Sequence, residues 1–282
     1  MFKKVSFYLV PHPDDWVLFM IPSAFADIRD HHTKVVFIYL TSGDQGLGTA
    51  TGGKRHPFYL ARESGAERAT RFLTGKVPRK TETVTLNWHP LFRVSYGPTV
   101  SYFMRLPDGN ILGSGYDSTG LQSLRKLADE VTQIMTAIDR STTYTTWPDL
   151  TDTVRSILSF ERDCESHVEL HIFDPDEGVN PNDHSDHRLS AKVGCDSADN
   201  LSEVRIITHL GYAKAHQSRN LSAWSSLLQF VALQVMFTGV SKLGHEVTRY
   251  RYLKYIGKDY IRIRQKDACN QRSKPPRRSQ SI

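Results

Sequence analysis

The residues best suited to chemistry stand near the start of the chain, in Val10-Pro11-His12-Pro13-Asp14-Asp15. Two prolines and two carboxylates cannot continue a buried strand. The apolar run before them, Val5-Ser6-Phe7-Tyr8-Leu9, should therefore end in a turn at about Pro11. His12 and Asp15, three apart on a rigid turn, then sit at a strand's C-terminal end, where open α/β sheets bind ligands. A neutral imidazole and a carboxylate supply two of the three protein ligands of a catalytic zinc site, whose remaining position is open to water. Asp14 is left to act on that water. The competing reading of the same residues is a proline-rich turn with a solvated acidic pair.

A second cluster, Asn180-Pro181-Asn182-Asp183-His184-Ser185-Asp186-His187, places two histidines three apart among acids. It follows the strand-like run Val168-Glu169-Leu170-His171-Ile172-Phe173 and precedes a helical pattern over 188–198 with Leu189, Val193 and Ala198 inward. One histidine can complete a metal shell while the other faces substrate. A histidine pair at a loop–helix boundary otherwise serves as a cap or a surface feature, but two such clusters at strand C-termini point together to a metal site.

His12-Pro13-Asp14-Asp15 with Asp183-His184-Ser185-Asp186-His187 resembles the PIG-L/LmbE-like deacetylases, zinc enzymes that remove acetyl groups from N-acetylglucosamine-type amino sugars. The resemblance extends to Thr41-Ser42-Gly43-Asp44-Gln45-Gly46, Arg62-Glu63 and Arg105-Leu106-Pro107-Asp108-Gly109, and covers about residues 3 to 215. It implies a Rossmann-like fold with zinc at the strand ends and His12, Asp15 and His187 as its ligands. Asp14 is then the general base and His184 the stabiliser of the oxyanion. Asp186 is a candidate orienting partner of a histidine, or a plain helix-start residue. Arg62 and Asp44 match positions that grip sugar hydroxyls. Arg62 could equally be an ion-pair or solvated helix residue, and Asp44 a turn former. Trp16 departs from the family pattern, where many members carry another acid. Imidazole and carboxylate ligands do not select zinc strictly, so other divalent ions fit too.

The elements that must position these groups alternate in type. Strands are expected over 4–10, 34–40, 83–87, 168–173 and 205–208, and helices over 16–30, 56–73, 121–138, 151–162 and 220–238. Strands alternating with helices give a mainly parallel sheet covered on both faces, an α/β Rossmann-like architecture. Only prolines and acids follow the first strand, so a dinucleotide cofactor is not expected. Residues 41–54 and 88–120 read as loops over the site, with Tyr96, Tyr102, Phe103 and Tyr116 offering aromatic surface for sugar faces or pinning the loop to the body. His171 reads as a core or supporting residue.

Of 282 residues, 39% are apolar and 23% charged, an ordinary globular composition. No apolar run is expected to reach the roughly 20 residues of a membrane span. Cys164, Cys195 and Cys269 are odd in number and widely spaced, which argues against a disulfide framework and makes a reducing cytoplasm the default. The formal charge of +6 is uneven: residues 251–282 hold ten Lys/Arg and two Asp, leaving −2 on residues 1–250. The expected organisation is a deacetylase domain over 1–250 and a basic segment over 251–282 whose end is disordered. Arg262, Arg264, Arg272, Lys274, Arg277 and Arg278 could bind phosphates, so a nucleic-acid-associated protein is one alternative. An amidase for another small N-acyl compound is the other. A small amino-sugar substrate is the expected partner, and the oligomeric state is left open.

Overall fold

A computed structural model describes residues 2–162, 166–199, 201 and 203–264. The chain opens with β1 (Lys4–Val10), α1 (Asp15–Phe19), α2 (Ile21–Arg29), β2 (Thr33–Thr41) and α3 (Phe58–Thr74). A run of strands follows, β3 (Arg79–Leu86), β4 (His89–Tyr96) and β5 (Thr99–Leu106), then α4 (Leu124–Ala128) and a small hairpin of β6 (Met135–Thr136) and β7 (Thr143–Tyr144). The last part comprises α5 (Trp147–Glu161), β8 (His167–Phe173), α6 (Ser185–Ala198), β9 (Val204–His209), α7 (Ala223–Lys242) and β10 (Ile261–Arg264).

One eight-stranded sheet runs in the order β10-β9-β8-β1-β2-β5-β4-β3. Its centre, β9-β8-β1-β2-β5, is parallel, and β10, β4 and β3 join antiparallel at the two sides. The expected Rossmann-like α/β fold is the observed one. Side chains alternate across β1: Val5, Phe7 and Leu9 enter one core with Val154, Ile157 and Ala191, while Tyr8 and Val10 enter the other with Leu233 and Phe237. β1 pairs with β2 on one side and with β8 on the other, so the chain reverses its direction of winding at β1. Ligand sites of open sheets form at such a switch point.

Several expectations need correction. Residues 88–120 are not one loop: β4 and β5 fill the first half, joined by a tight turn in which Gly97 takes φ +58°, and only 107–120 is irregular apart from a short helical turn at Asp117–Thr119. Tyr96, Tyr102 and Phe103 are buried sheet residues, and only Tyr116 reaches the cleft described below. The helix expected over 121–138 is a five-residue piece, capped by the Ser123 hydroxyl at Lys126 N and followed by Glu130 at φ +57°. Cys195 is disulfide-bonded. Residues 251–264 belong to the body, since β10 extends the sheet and Arg262 and Arg264 pair with Asp174 (3.2 and 2.9 Å). Arg272, Lys274, Arg277 and Arg278 lie outside the described residues.

The helix α7 is the one candidate for a membrane-length apolar run among the described residues. Its 20 residues are long and apolar enough to cross a membrane by length and composition. Here it packs on α3, burying Leu233, Met236 and Phe237. The two helices meet through glycines: a Cβ added at Gly239 would lie 2.7 Å from Gly65 Cα and 2.7 Å from Ser64 O. Gly239→Ala should therefore force the helices apart and destabilise the fold by about 1–3 kcal/mol, read as a lower denaturant midpoint. An unchanged midpoint would show that the crossing has slack.

Candidate active site

The turn after β1 is clamped by the end of β2: Thr41 N and Oγ1 both donate to Pro11 O, at 2.8 and 3.1 Å. This fixes where His12 emerges. Asp15 opens α1 and folds back, so that its Oδ2 accepts from His12 N at 2.8 Å and lies 3.1 Å from His12 Nδ1. Its Oδ1 faces His187 Nε2 at 3.3 Å. His187 sits in the first turn of α6, fully buried, stacked on Phe173 with ring centroids 3.9 Å apart. The three groups expected from the sequence as ligands are thus brought to one point from the ends of neighbouring strands.

Asp183 holds His187 in place, a role that sequence reading missed. Its Oδ1 faces His187 Nδ1 at 2.9 Å and accepts from Tyr212 N at 3.0 Å, and its Oδ2 accepts from Asn180 Nδ2 at 2.6 Å. A carboxylate on Nδ1 fixes the proton there and aims Nε2 at Asp15. The signal was present as the four-residue spacing of Asp183 and His187, which stacks two side chains across a helix start.

His12 belongs to a second group as well. Its Nε2 lies 3.4 Å from Asp186 Oδ2 and 3.9 Å from Asp108 Oδ2, and His184 Nε2 lies 3.8 Å from Asp108 Oδ1. Asp186 is fully buried against the 108–109 turn, accepting from Gly109 N at 2.9 Å. A Cβ at Gly109 would sit 2.4 Å from Asp186 Oδ1, so glycine leaves the room this carboxylate needs. Asp186 therefore reaches His12, as an orienting partner would, and also stands at a helix start. Asp108 lies within Arg105-Leu106-Pro107-Asp108-Gly109, whose local pattern carries no sign that it meets both histidines.

His184 caps α6, accepting from Asp186 N at Nδ1 (3.1 Å). With that lone pair used, the neutral ring carries its proton on Nε2, which points to the cleft. Burial, with His12 and His187 nearby, lowers the His184 pKa to about 4. Burial also opposes charge on His187, but Asp183 and Asp15 outweigh it and raise the pKa to about 9. For Asp15, burial favours the neutral acid, and the two histidines overcome it and hold the carboxyl far below its usual range.

The site opens into a cleft of about 1100 Å³. Asp14 and Arg62 line it, and Arg62 Nη2 donates to Asp14 Oδ1. Arg62 is aimed by its neighbour: Glu63 takes a bidentate pair from Arg105 (2.7 and 2.8 Å), which ties α3 to the end of β5. Asp44 does not reach the cleft. Its oxygens accept from Ser42 Oγ, Gly48 N and Asp108 N, so it shapes the loop and the 108 turn instead of gripping a ligand. Trp16 points into the core against Phe37 and is not part of the cleft wall. The aromatic wall that sequence reading placed in residues 88–120 comes mostly from the C-terminal part, as Tyr212, Tyr252 and Tyr255, with Arg251 and Lys254 beside them.

No family model matches the sequence, and no curated protein matches it. Among solved structures, the chain is similar to the N,N'-diacetylchitobiose deacetylase from Pyrococcus horikoshii complexed with its inhibitor. The identity is 18%, the TM-score 0.45, and the match covers 83% of this chain and 69% of that one. It is also similar to a deacetylase triple mutant of the teicoplanin biosynthetic pathway, at 12% identity and TM-score 0.47, covering 89% of this chain and 88% of that one. At these identities, what it does has to be read from its own side chains.

A metal fits the residues present. His12 Nε2, His187 Nε2 and Asp186 Oδ1 are buried with no hydrogen-bond partner among the described residues, and such atoms are costly unless a ligand satisfies them. The two groups around His12 are separable by mutation. If the metal sits among His12, Asp15 and His187, Asp15→Asn should arrive metal-poor, while Asp108→Asn keeps about one equivalent. The reverse pattern in metal analysis would move the ion to the Asp108 side. Asp183→Asn should lower metal affinity about 10- to 100-fold, as removal of a ligand's carboxylate partner typically does.

The histidine shifts give a pH test on metal-free protein. Unfolded, His184 protonates near its ordinary 6.5, whereas in the fold it stays neutral down to about 4. The unfolded chain binds the extra proton in that window, so stability falls as pH drops from 6.5 to about 4. His187 has the opposite sign: its contribution is full below 6.5 and is lost as pH rises through about 9. His184→Asn, which keeps the helix cap, should flatten the acid-side loss in denaturant midpoints measured from pH 4 to 6.5. A parallel slope in variant and wild type would contradict a neutral buried His184.

Proposed function

We propose that the chain is a metal-dependent hydrolase, loaded with zinc, that removes the acetyl group from an N-acetylated amino sugar of the N-acetylglucosamine type or a small conjugate of one. The observation that carries this reading is the convergence of His12, Asp15 and His187, with buried unpartnered ring nitrogens, under a cleft lined by Asp14 and His184. Zinc bound there would supply a Lewis acid for the acyl oxygen and acidify water.

The side chains divide the remaining work. Asp14 has Oδ1 on Arg62, which leaves Oδ2 to take a proton from the water that attacks the acyl carbon. The same carboxyl returns the proton to the amine nitrogen as the C–N bond breaks, giving acetate and the free amine. His184, neutral and protonated on Nε2, donates to the oxygen that gains charge in the tetrahedral state. Arg62 holds Asp14 in one orientation, a positioning role that joins the substrate-gripping one expected from sequence. Tyr116 and Tyr212, half-buried on the cleft wall, are the rings on which a pyranose would stack. That wall favours the sugar over an unrelated N-acyl compound, although an amidase would use the same polar groups. The cleft is at the upper end of small-molecule sites and leaves space for an aglycone.

Two of the earlier expectations lose support. Arg262 and Arg264 are paired with carboxylates and are not free to hold phosphates, which weakens the nucleic-acid alternative among the described residues. A disulfide at Cys195 is a feature of oxidising compartments and weighs against the cytoplasm as the default.

Asp14→Asn should retain its metal and its fold and lose about a hundred- to ten-thousand-fold in turnover, the usual loss for a positioned general base. The assay is mass spectrometry of acetate and amine products from a panel of N-acetylglucosamine conjugates, with and without a chelator. Full activity in metal-replete Asp14→Asn, or wild-type turnover untouched by the chelator, would sink the mechanism.

A further inference from the structure

The helix α7 carries no charged residue between Ala223 and Ser241, yet only 39% of its apolar stretch is buried. The face turned from α3 shows Trp224 (66% exposed), Leu227 and Phe230, at spacings that put them on one side of the helix. The segment 249–257 runs back along the same helix. Arg249 Nη1 donates to Gln234 Oε1 at 3.2 Å, and Gly257 N donates to Gln229 Oε1 at 2.8 Å. Between those two ties, Tyr250 (71% exposed) and Leu253 face outward, while Tyr252 and Tyr255 face the cleft. A soluble protein seldom leaves so many large apolar side chains together without a use for them.

We infer that this outer face of α7, with the 249–255 segment beside it, is a docking surface for an anionic lipid membrane. Charge selects the occupant. Residues 242–255 hold four Lys/Arg and one Glu, and no ion pair involves Lys242, Arg249, Arg251 or Lys254 among the described residues. Apolar and aromatic side chains flanked by unpaired cations match the boundary of an anionic bilayer, where rings and aliphatic groups enter the headgroup layer and the cations meet lipid phosphates and carboxylates. The helix lies on the surface in this arrangement and does not span, since its other face is committed to α3. Because the 249–255 segment also walls the cleft, docking brings the cleft mouth to the lipid surface.

The full chain should cosediment with vesicles of 30% phosphatidylserine in phosphatidylcholine and not with phosphatidylcholine alone, and the binding should weaken as salt is raised. The double substitution Trp224→Ser/Leu227→Ser should weaken it at least about tenfold, and so should Lys242→Gln/Arg249→Gln, which removes two exposed charges together with the Arg249–Gln234 hydrogen bond. Absence of cosedimentation by the folded wild type would overturn the inference. So would binding that survives both double variants and is lost only on removing residues 265–282, which would make the tail the anchor. A concentration-dependent dimer in sedimentation velocity, present in the wild type and absent from Trp224→Ser/Leu227→Ser, would assign the face to a second copy instead.

Discussion

Lone pairs that converge in a buried volume must be answered by a cation, and the architecture around His12 is arranged to create that demand. Asp15 turns both oxygens inward, toward His12 and His187, and Asp183 takes the outer nitrogen of His187 so that the inner one has nowhere else to go. In a low-dielectric site each unanswered group costs free energy on the scale of a lost hydrogen bond or more. Without an ion, the cluster meets the demand by protonation, which is why His187 is raised to about 9 while Asp15 is held ionised. An ion placed there would compete with a proton for the same lone pairs, and its affinity would fall as the solution is acidified.

The sheet exists to bring two short turns together. β1 and β8 lie side by side at the point where the winding reverses, so the turn after one and the helix start after the other open on the same space. Everything else at the site hangs on these two. Arg62 reaches Asp14 from α3, whose rotation is set by the Glu63–Arg105 pair and whose distance from α7 is set by two glycines. The wall of the cleft comes from the chain after β9. The buried polar cluster and the aromatic wall of the cleft are thus on separate parts of the molecule and can vary independently.

The parallel core and the polar constellation were legible because both are local signals. Lys34 to Leu40 is a nearly unbroken apolar run, which only a strand covered on both faces needs, and the proline–acid turn after β1 announces itself within six residues. The hairpin of β4 and β5 was not legible. Pro90, Gly97 and Pro98 look like loop punctuation, yet the prolines fall at the edge of the pairing and Gly97 makes the turn. The helix read over 121–138 failed for the opposite reason: Leu124 to Ala128 has helical composition, but a left-handed residue at Glu130 stops it. Asp44 was placed correctly in a loop near the site, but no local pattern tells whether a carboxylate in a glycine-rich turn points out to solvent or back at the chain. Tyr252 and Tyr255 were beyond reach, since nothing in their own surroundings says that they return to residue 12.

The pairing of β1 with β8 sets an order of events during synthesis. The ribosome delivers His12, Asp14 and Asp15 first, but β1 cannot acquire its second neighbour until His167–Phe173 has emerged, and His187 follows later still. Until then the first strand has one open edge and a cluster of acids at its tip. Contacts so distant in sequence close slowly and leave partly formed sheet exposed in the meantime. The nascent chain therefore carries an adhesive edge until β8 arrives, and the yield of folded protein should depend more on what shelters that edge than on the stability of the finished fold.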